Sequence, residues 1–201
     1  MGKRSDYEKR ARDFYPTPKE AVEPLIPFLP EYFTYIEPCA GDGRLVKHID
    51  ELMHGDADCH GAYDIEYPDD DDGNPLPLQW DVKIKDAFSL TKLDVPYTEY
   101  IITNPPWSRD KKSGYILHRM IEHFAELRPT WLLFDADWLF TKQATPYVEK
   151  YLLQVVAVGR VSWEQNGVSG KDNAAWYLFE AGARDMLERP EFWPQGANPL
   201  S

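Results

Sequence analysis

The sequence predicts an α/β sandwich on a seven-stranded, mostly parallel sheet whose last strand runs antiparallel. Three observations carry this. Short aromatic and β-branched runs alternate with stretches whose apolar residues recur at helical spacing. A glycine-rich turn, Gly41-Asp42-Gly43, joins the first such run to the first amphipathic stretch. A run at 100–103 is stopped by Pro105 and Pro106, which cannot donate to a sheet ladder.

Composition sets the bounds. The 201 residues are 43% hydrophobic and 14% aromatic, enough for one core. The reading is therefore one domain over 1–201, with a basic arm at 1–13 and a tail at 181–201. No apolar run approaches the roughly 20 residues of a membrane span, and the N-terminus leads into charge, so no secretion signal is expected. Cys39 and Cys59 lack metal-site spacing and form no disulfide framework, which points to the cytoplasm. A net charge of −12 argues against avid, non-specific binding to nucleic acid. It leaves room for a local basic patch.

The first element follows Phe14-Tyr15-Pro16-Thr17-Pro18-Lys19-Glu20. Thr17 and Glu20 are spaced as a capping box, with Pro18 at the first helical position. The helix should run towards residue 29, kinked at Pro24 and limited by Pro27 and Pro30. Free amides at such a start favour a carboxylate. Residues 33–36 read as the first strand. Glu37-Pro38-Cys39-Ala40-Gly41-Asp42-Gly43 follows, then a helix with Leu45, Val46, Ile49, Leu52 and Met53 on one face and Gly55 as its stop. Small residues in this turn let a ligand approach the backbone.

Residues 60–66 form a second strand ending in acid. Asp64 lies 21 residues after Gly43, the spacing at which a carboxylate meets a ribose diol; the competing reading is a solvated carboxylate at a strand end. Residues 68–75 are an acidic loop, whose spacing matches no calcium loop. Residues 82–85 alternate as a third strand and end at Asp86-Ala87-Phe88, a carboxylate and a ring suited to an adenine's amino group and face. Residues 100–103 are the fourth strand, leading into Asn104-Pro105-Pro106-Trp107. That turn lies where open α/β sheets bind ligands. The amide of Asn104 and a nearby carbonyl can accept both hydrogens of an exocyclic amino group, and Trp107 can stack on a planar base.

Residues 108–114 are polar and basic, with Arg109, Lys111 and Lys112. A helix burying Ile116, Leu117, Met120, Ile121, Phe124 and Leu127 follows, then a strand at 131–134, a short helix at 141–151, and strands at 155–158 and 174–179. The segment 159–173 is a polar loop or hairpin extension carrying Lys171 and Asn173. No helix joins the last two strands, so they should pair antiparallel.

This ordered set of motifs resembles the S-adenosylmethionine-dependent N6-adenine DNA methyltransferases, above all the small phage-type enzymes with the γ-like motif order. The resemblance spans residues 14–180 and rests on Phe14 to Pro18, Glu37 to Gly43, Asp64-Ile65-Glu66, Asp86 to Phe88 and Asn104 to Trp107, with Lys171 to Trp176 as a weaker match. It implies a Rossmann-like methyltransferase sandwich and S-adenosylmethionine as cofactor, with no metal. In that scheme Tyr15 and Thr17 meet the methionine carboxylate. Glu37, Pro38, Cys39, Gly41 and Gly43 pass the methionine end, Asp64 and Ile65 the ribose, and Asp86, Ala87 and Phe88 the adenine. Asn104, which also borders the cofactor, and Pro105 grip the target amino group, with Pro106 and Trp107 completing the catalytic turn. Arg109, Lys111, Lys112, Lys171 and Asn173 would meet DNA, whose adenine is flipped out of the helix. The setting is a bacterial or phage-infected cytoplasm.

Larger family members append a target-recognition domain. No separate one is expected here, so specificity would come from loops, a protein partner or a second copy. The competing readings are a methyltransferase for RNA adenine or a protein glutamine, and a non-catalytic binding subunit.

Overall fold

The computed structural model describes residues 15–70, 72–107, 109–110, 114–163, 170 and 173–199. The chain opens with a single turn of α-helix, α1 (Lys19–Val22), that tightens at Pro24 into a 3-10 helix, Glu23–Phe28. This is the kink that proline imposes by removing a backbone donor. Strand β1 (Phe33–Glu37) follows, then α2 (Arg44–Leu52), β2 (Ala57–Asp64) and β3 (Val82–Ile84). Next come β4 (Tyr100–Thr103), a two-stranded hairpin of β5 (Arg109–Asp110) and β6 (Gly114–Tyr115), and α3 (Ile116–Ala125). The remainder is β7 (Thr130–Asp135), α4 (Thr145–Lys150), β8 (Leu152–Gly159), β9 (Ala174–Phe179), α5 (Ala183–Met186) and β10 (Glu191–Trp193).

Eight strands form one sheet in the order β10-β8-β9-β7-β4-β1-β2-β3. Every pairing is parallel except those of β9, which runs antiparallel to both β7 and β8. The seven expected strands form, and the antiparallel one is as anticipated. The eighth, β10, lies in the tail 181–201, where no strand is expected. Three residues are too few to show alternation. A long-range contact holds the strand instead: Trp193 meets Phe28 edge-on at 5.4 Å.

Two apolar layers sandwich the sheet. One gathers Val22, Leu25, Leu45 and Ile49 against Tyr35, Ile102, Trp131 and Trp176. The other gathers Leu117, Ile121 and Phe124 of α3 against Ile36, Ile101, Leu132 and Tyr177. The alternation of Ile101 and Ile102 between layers is the period-two geometry of a strand buried on both faces. No helix among the described residues is long and apolar enough to cross a membrane.

The helix expected over 141–151 is shorter. Its predecessor, Ala136–Phe140, forms a 3-10 turn, and Pro146 sits in the first turn of α4, where its missing donor costs nothing.

Candidate functional site

Chain order and sheet order diverge between β1 and β4. From β1 the chain moves outward through β2 and β3; from β4 it moves the opposite way, to β7. Such a switch point opens a crevice at the carboxyl ends of the two strands. Tyr35 pairs with Tyr100 and Ile36 with Ile101, so the segments following Glu37 and Thr103 emerge side by side. They touch: the backbone amide of Asn104, with that of Val46, stabilises the Glu37 carboxylate. Glu37 is nevertheless fully buried, and its Oε2 has no hydrogen-bond partner. Burial, then the charges of Asp64 and Asp42, hold its pKa well above the ordinary glutamate value.

The glycine turn is locked from two sides. Ala40 donates to the Tyr63 carbonyl at 2.8 Å, and Gly41 donates to Asp64 Oδ2 at 2.7 Å. Gly43 has φ +82°, and a Cβ there would lie 2.5 Å from Trp80 Cβ, so glycine is required both by conformation and by space. Asp42, which sequence reading passed over, is buried; it accepts from Arg44 N at 3.0 Å and pairs with the Arg44 guanidinium at 2.8 Å. Pro38 is buried, and burial raises the pKa of the Cys39 thiol.

Along the same rim, Asp64 closes β2 and Asp86 follows β3. Asp64 Oδ1 accepts from Ile65 N at 2.7 Å, and burial raises its pKa against the lowering pull of these amides. Its carboxylate thus bridges two loops while the Ile65 side chain stays exposed beside it. Asp86 Oδ1 accepts from Phe88 N at 2.9 Å, and Ala87 is buried. The Phe88 ring packs towards α3, with the Arg119 guanidinium 4.3 Å from its centre and the His123 ring at 5.7 Å.

On the other side of the switch point, β4 ends at Thr103, and Asn104 begins the proline turn. Asn104 Nδ2 donates to the Tyr15 carbonyl at 3.3 Å and to Thr17 Oγ1 at 3.2 Å. The capping box is therefore not formed: Pro18, expected at the first helical position, is the N-cap of α1, which has no side-chain cap bond. Thr17 reaches Asn104 instead, and Glu20 Oε1 accepts from Ser162 N at 2.6 Å. Two residues spaced for a local cap are used for long-range ties.

Pro105 is buried, Pro106 half-buried and Trp107 exposed. Trp107 meets Trp163 edge-on, 5.8 Å apart at 86°. Such a pair contributes about 0.5–1.5 kcal/mol beyond its buried area. Sequence reading missed Trp163, placing it within a polar loop; the signal was a large aromatic in that polar run.

The hairpin pairs Arg109 with Tyr115 directly beyond this turn. Asn173 is exposed at the start of β9, and its carbonyl accepts from Ala136 N at 2.9 Å. The side chain of Arg109, and Lys111, Lys112, Lys171, Phe14 and the arm 1–13, lie outside the described residues.

No protein-family model matches the chain, and no curated protein matches it by sequence. Solved structures do share its fold. A Listeria monocytogenes protein assigned to the class I S-adenosylmethionine-dependent methyltransferases superposes with a TM-score of 0.53 at 10% identity, over 90% of this chain and 64% of its own. A modification subunit assigned to a type I restriction enzyme of Vibrio vulnificus gives 0.55 at 9% identity, over 92% and 48%. A protein of Pyrococcus horikoshii assigned as an RNA methyltransferase gives 0.52 at 13% identity, over 89% and 93%. The chain thus spans under two thirds of the length of the first two.

Proposed function

We propose that this chain is an S-adenosylmethionine-dependent methyltransferase acting on the exocyclic 6-amino group of adenine in DNA. One observation carries the reading: Asn104 of the proline turn stands against Glu37 of the glycine turn at the sheet's switch point. A site for an electrophile and a site for an amino acceptor are thereby joined.

The residues suit the cofactor. The unpartnered Oε2 of buried Glu37 suits the cationic amino group of its methionine part. Asp64 and Ile65 would face the ribose, and Asp86, Ala87 and Phe88 the adenine. Bound there, the cofactor supplies an electrophilic methyl on a sulfonium. The protein's own residues handle the acceptor. Asn104 Oδ1 and the Pro105 carbonyl accept the two amino hydrogens, drawing the nitrogen out of conjugation with the ring and freeing its lone pair. Trp107 stacks on the extruded base, with Trp163 as its edge support. Alignment and preorganised polarity supply most of the rate.

Arg109, Lys111, Lys112, Lys171 and Asn173 would line the DNA path. With a net charge of −12, binding should rest on few phosphate contacts and have a shallow salt dependence. The Vibrio vulnificus neighbour is a subunit of a larger assembly; by that analogy, a partner chain or second copy here would supply sequence specificity.

The test is methyl-labelled cofactor incubated with DNA, RNA and protein side by side. Label in DNA supports the reading. Label confined to RNA or to protein glutamine moves the substrate class, and cofactor binding without transfer to any acceptor leaves a binding subunit.

A further inference from the structure

Asn104 serves as an acceptor only if its amide points the right way. An amide has a donor end and an acceptor end of nearly equal size, and a half-turn about the terminal bond exchanges them. Presented oxygen-first, Asn104 accepts from an amino group. Presented nitrogen-first, it repels one.

The structure holds the amide in a bracket of two arms: the Tyr15 carbonyl sets its orientation, and the Thr17 hydroxyl, which can donate or accept, holds it in place. The Tyr15 backbone carbonyl, which can only accept, lies 3.3 Å from Asn104 Nδ2. Thr17 Oγ1 lies 3.2 Å from the same nitrogen, and Thr17 is only 5% exposed. Both hydrogens of the NH2 group thus have an acceptor, and Oδ1 is left at the opposite end. The bracket is stiff for a covalent reason. Tyr15 and Thr17 each precede a proline, which disfavours the helical region for both, and Pro16 and Pro18 have fixed φ. Thr17 stands one residue before Pro18, the N-cap of α1, and its hydroxyl meets Asn104 rather than the helix.

We propose that Thr17 is a positioning residue for Asn104: its hydroxyl, with the Tyr15 carbonyl, holds the amide oxygen towards the acceptor and so selects a substrate atom that donates hydrogens. The identity of that acceptor rests on the proposed function; the orientation of the amide does not. Thr17 acts behind Asn104, so its loss should lower the rate of transfer and spare cofactor affinity. That differs from a place at the methionine carboxylate, where affinity would fall first.

The experiment compares the full-length chain with Thr17→Val, which keeps the shape and loses the hydroxyl, and Thr17→Ser, which keeps it. Two readouts are taken. The first is hydrogen exchange of the Asn104 side-chain NH2 in nitrogen-15 spectra, the signal identified by its absence in Asn104→Ala. Exchange should quicken about tenfold in Thr17→Val, as expected for one lost hydrogen bond, and stay at the wild-type rate in Thr17→Ser. The second is single-turnover transfer, which should fall about tenfold in Thr17→Val with the cofactor Kd within about threefold, and recover in Thr17→Ser. Unchanged amide exchange in Thr17→Val would overturn the proposal. So would equal losses in both variants, or a cofactor Kd that rises in step with the loss of rate. If the wild-type chain methylates nothing, the proposed function fails, and amide exchange still decides the role of Thr17.

Discussion

The two halves of the site are built differently. On the β1–β2–β3 side, loops are tied to their neighbours by carboxylates and backbone amides: Asp64 to Gly41 and Ile65, Asp86 to Phe88, Asp42 to Arg44. On the β4 side, the proline turn is held by distant segments: Asn104 by Thr17, 87 residues away, and the Trp163 segment by Glu20, which reaches Ser162 across 142 residues. Under the proposed function the first half holds the same small molecule in every cycle, which suits preorganised polar ties between adjoining loops. The second half would admit a large acceptor, which suits the exposed ring of Trp107. If the halves are this separate, mutations in them should act on different steps.

The largest effect belongs to the acceptor half. Asn104→Ala should abolish transfer, by about a thousandfold or more for a lost transition-state contact, with the cofactor Kd changed less than about threefold. Single-turnover kinetics beside calorimetry read both, and near-normal turnover would remove Asn104 from the chemistry. A smaller effect belongs to the cofactor half. Asp64→Ala should raise the cofactor Kd about 10- to 100-fold, the cost of losing a charged acceptor. Combining it with Asn104→Ala should give additive changes in binding; equal cofactor affinities in the two single mutants would refute the division of labour.

Those contrasts also explain what was legible in the sequence. Gly41-Asp42-Gly43 and Pro105-Pro106 declare themselves locally, because backbone conformation and missing donors act within a few residues. The strands around them followed from runs such as 100–103. Thr17 and Glu20 misled for the same reason: their spacing satisfies a local rule, while the folded chain offers each a distant partner. Trp163 and β10 were hidden because what defines them is a contact across the fold, Trp163 on Trp107 and Trp193 on Phe28.

The smallest expected effect concerns the seam between the halves. Burial favours the protonated form of Glu37 in the folded chain. Its stabilising share is therefore complete below the ordinary glutamate value and lost as pH rises through the raised folded value. Glu37→Gln should flatten this part of the stability profile, seen as a thermal midpoint that falls less than wild type with rising pH. A bound cofactor cation favours the charged form instead, so cofactor affinity should strengthen with rising pH in wild type and change less in Glu37→Gln. Identical pH dependence of the Kd in both would place the cation elsewhere.

The most direct test of the central claim is the identity of the methylated atom. DNA recovered from a single-turnover reaction with labelled cofactor is digested to nucleosides and analysed by mass spectrometry. N6-methyldeoxyadenosine in wild type and its absence in Asn104→Ala is the predicted result. A methyl group on a cytosine, on a ring nitrogen, or on no nucleoside of the DNA at all would contradict it.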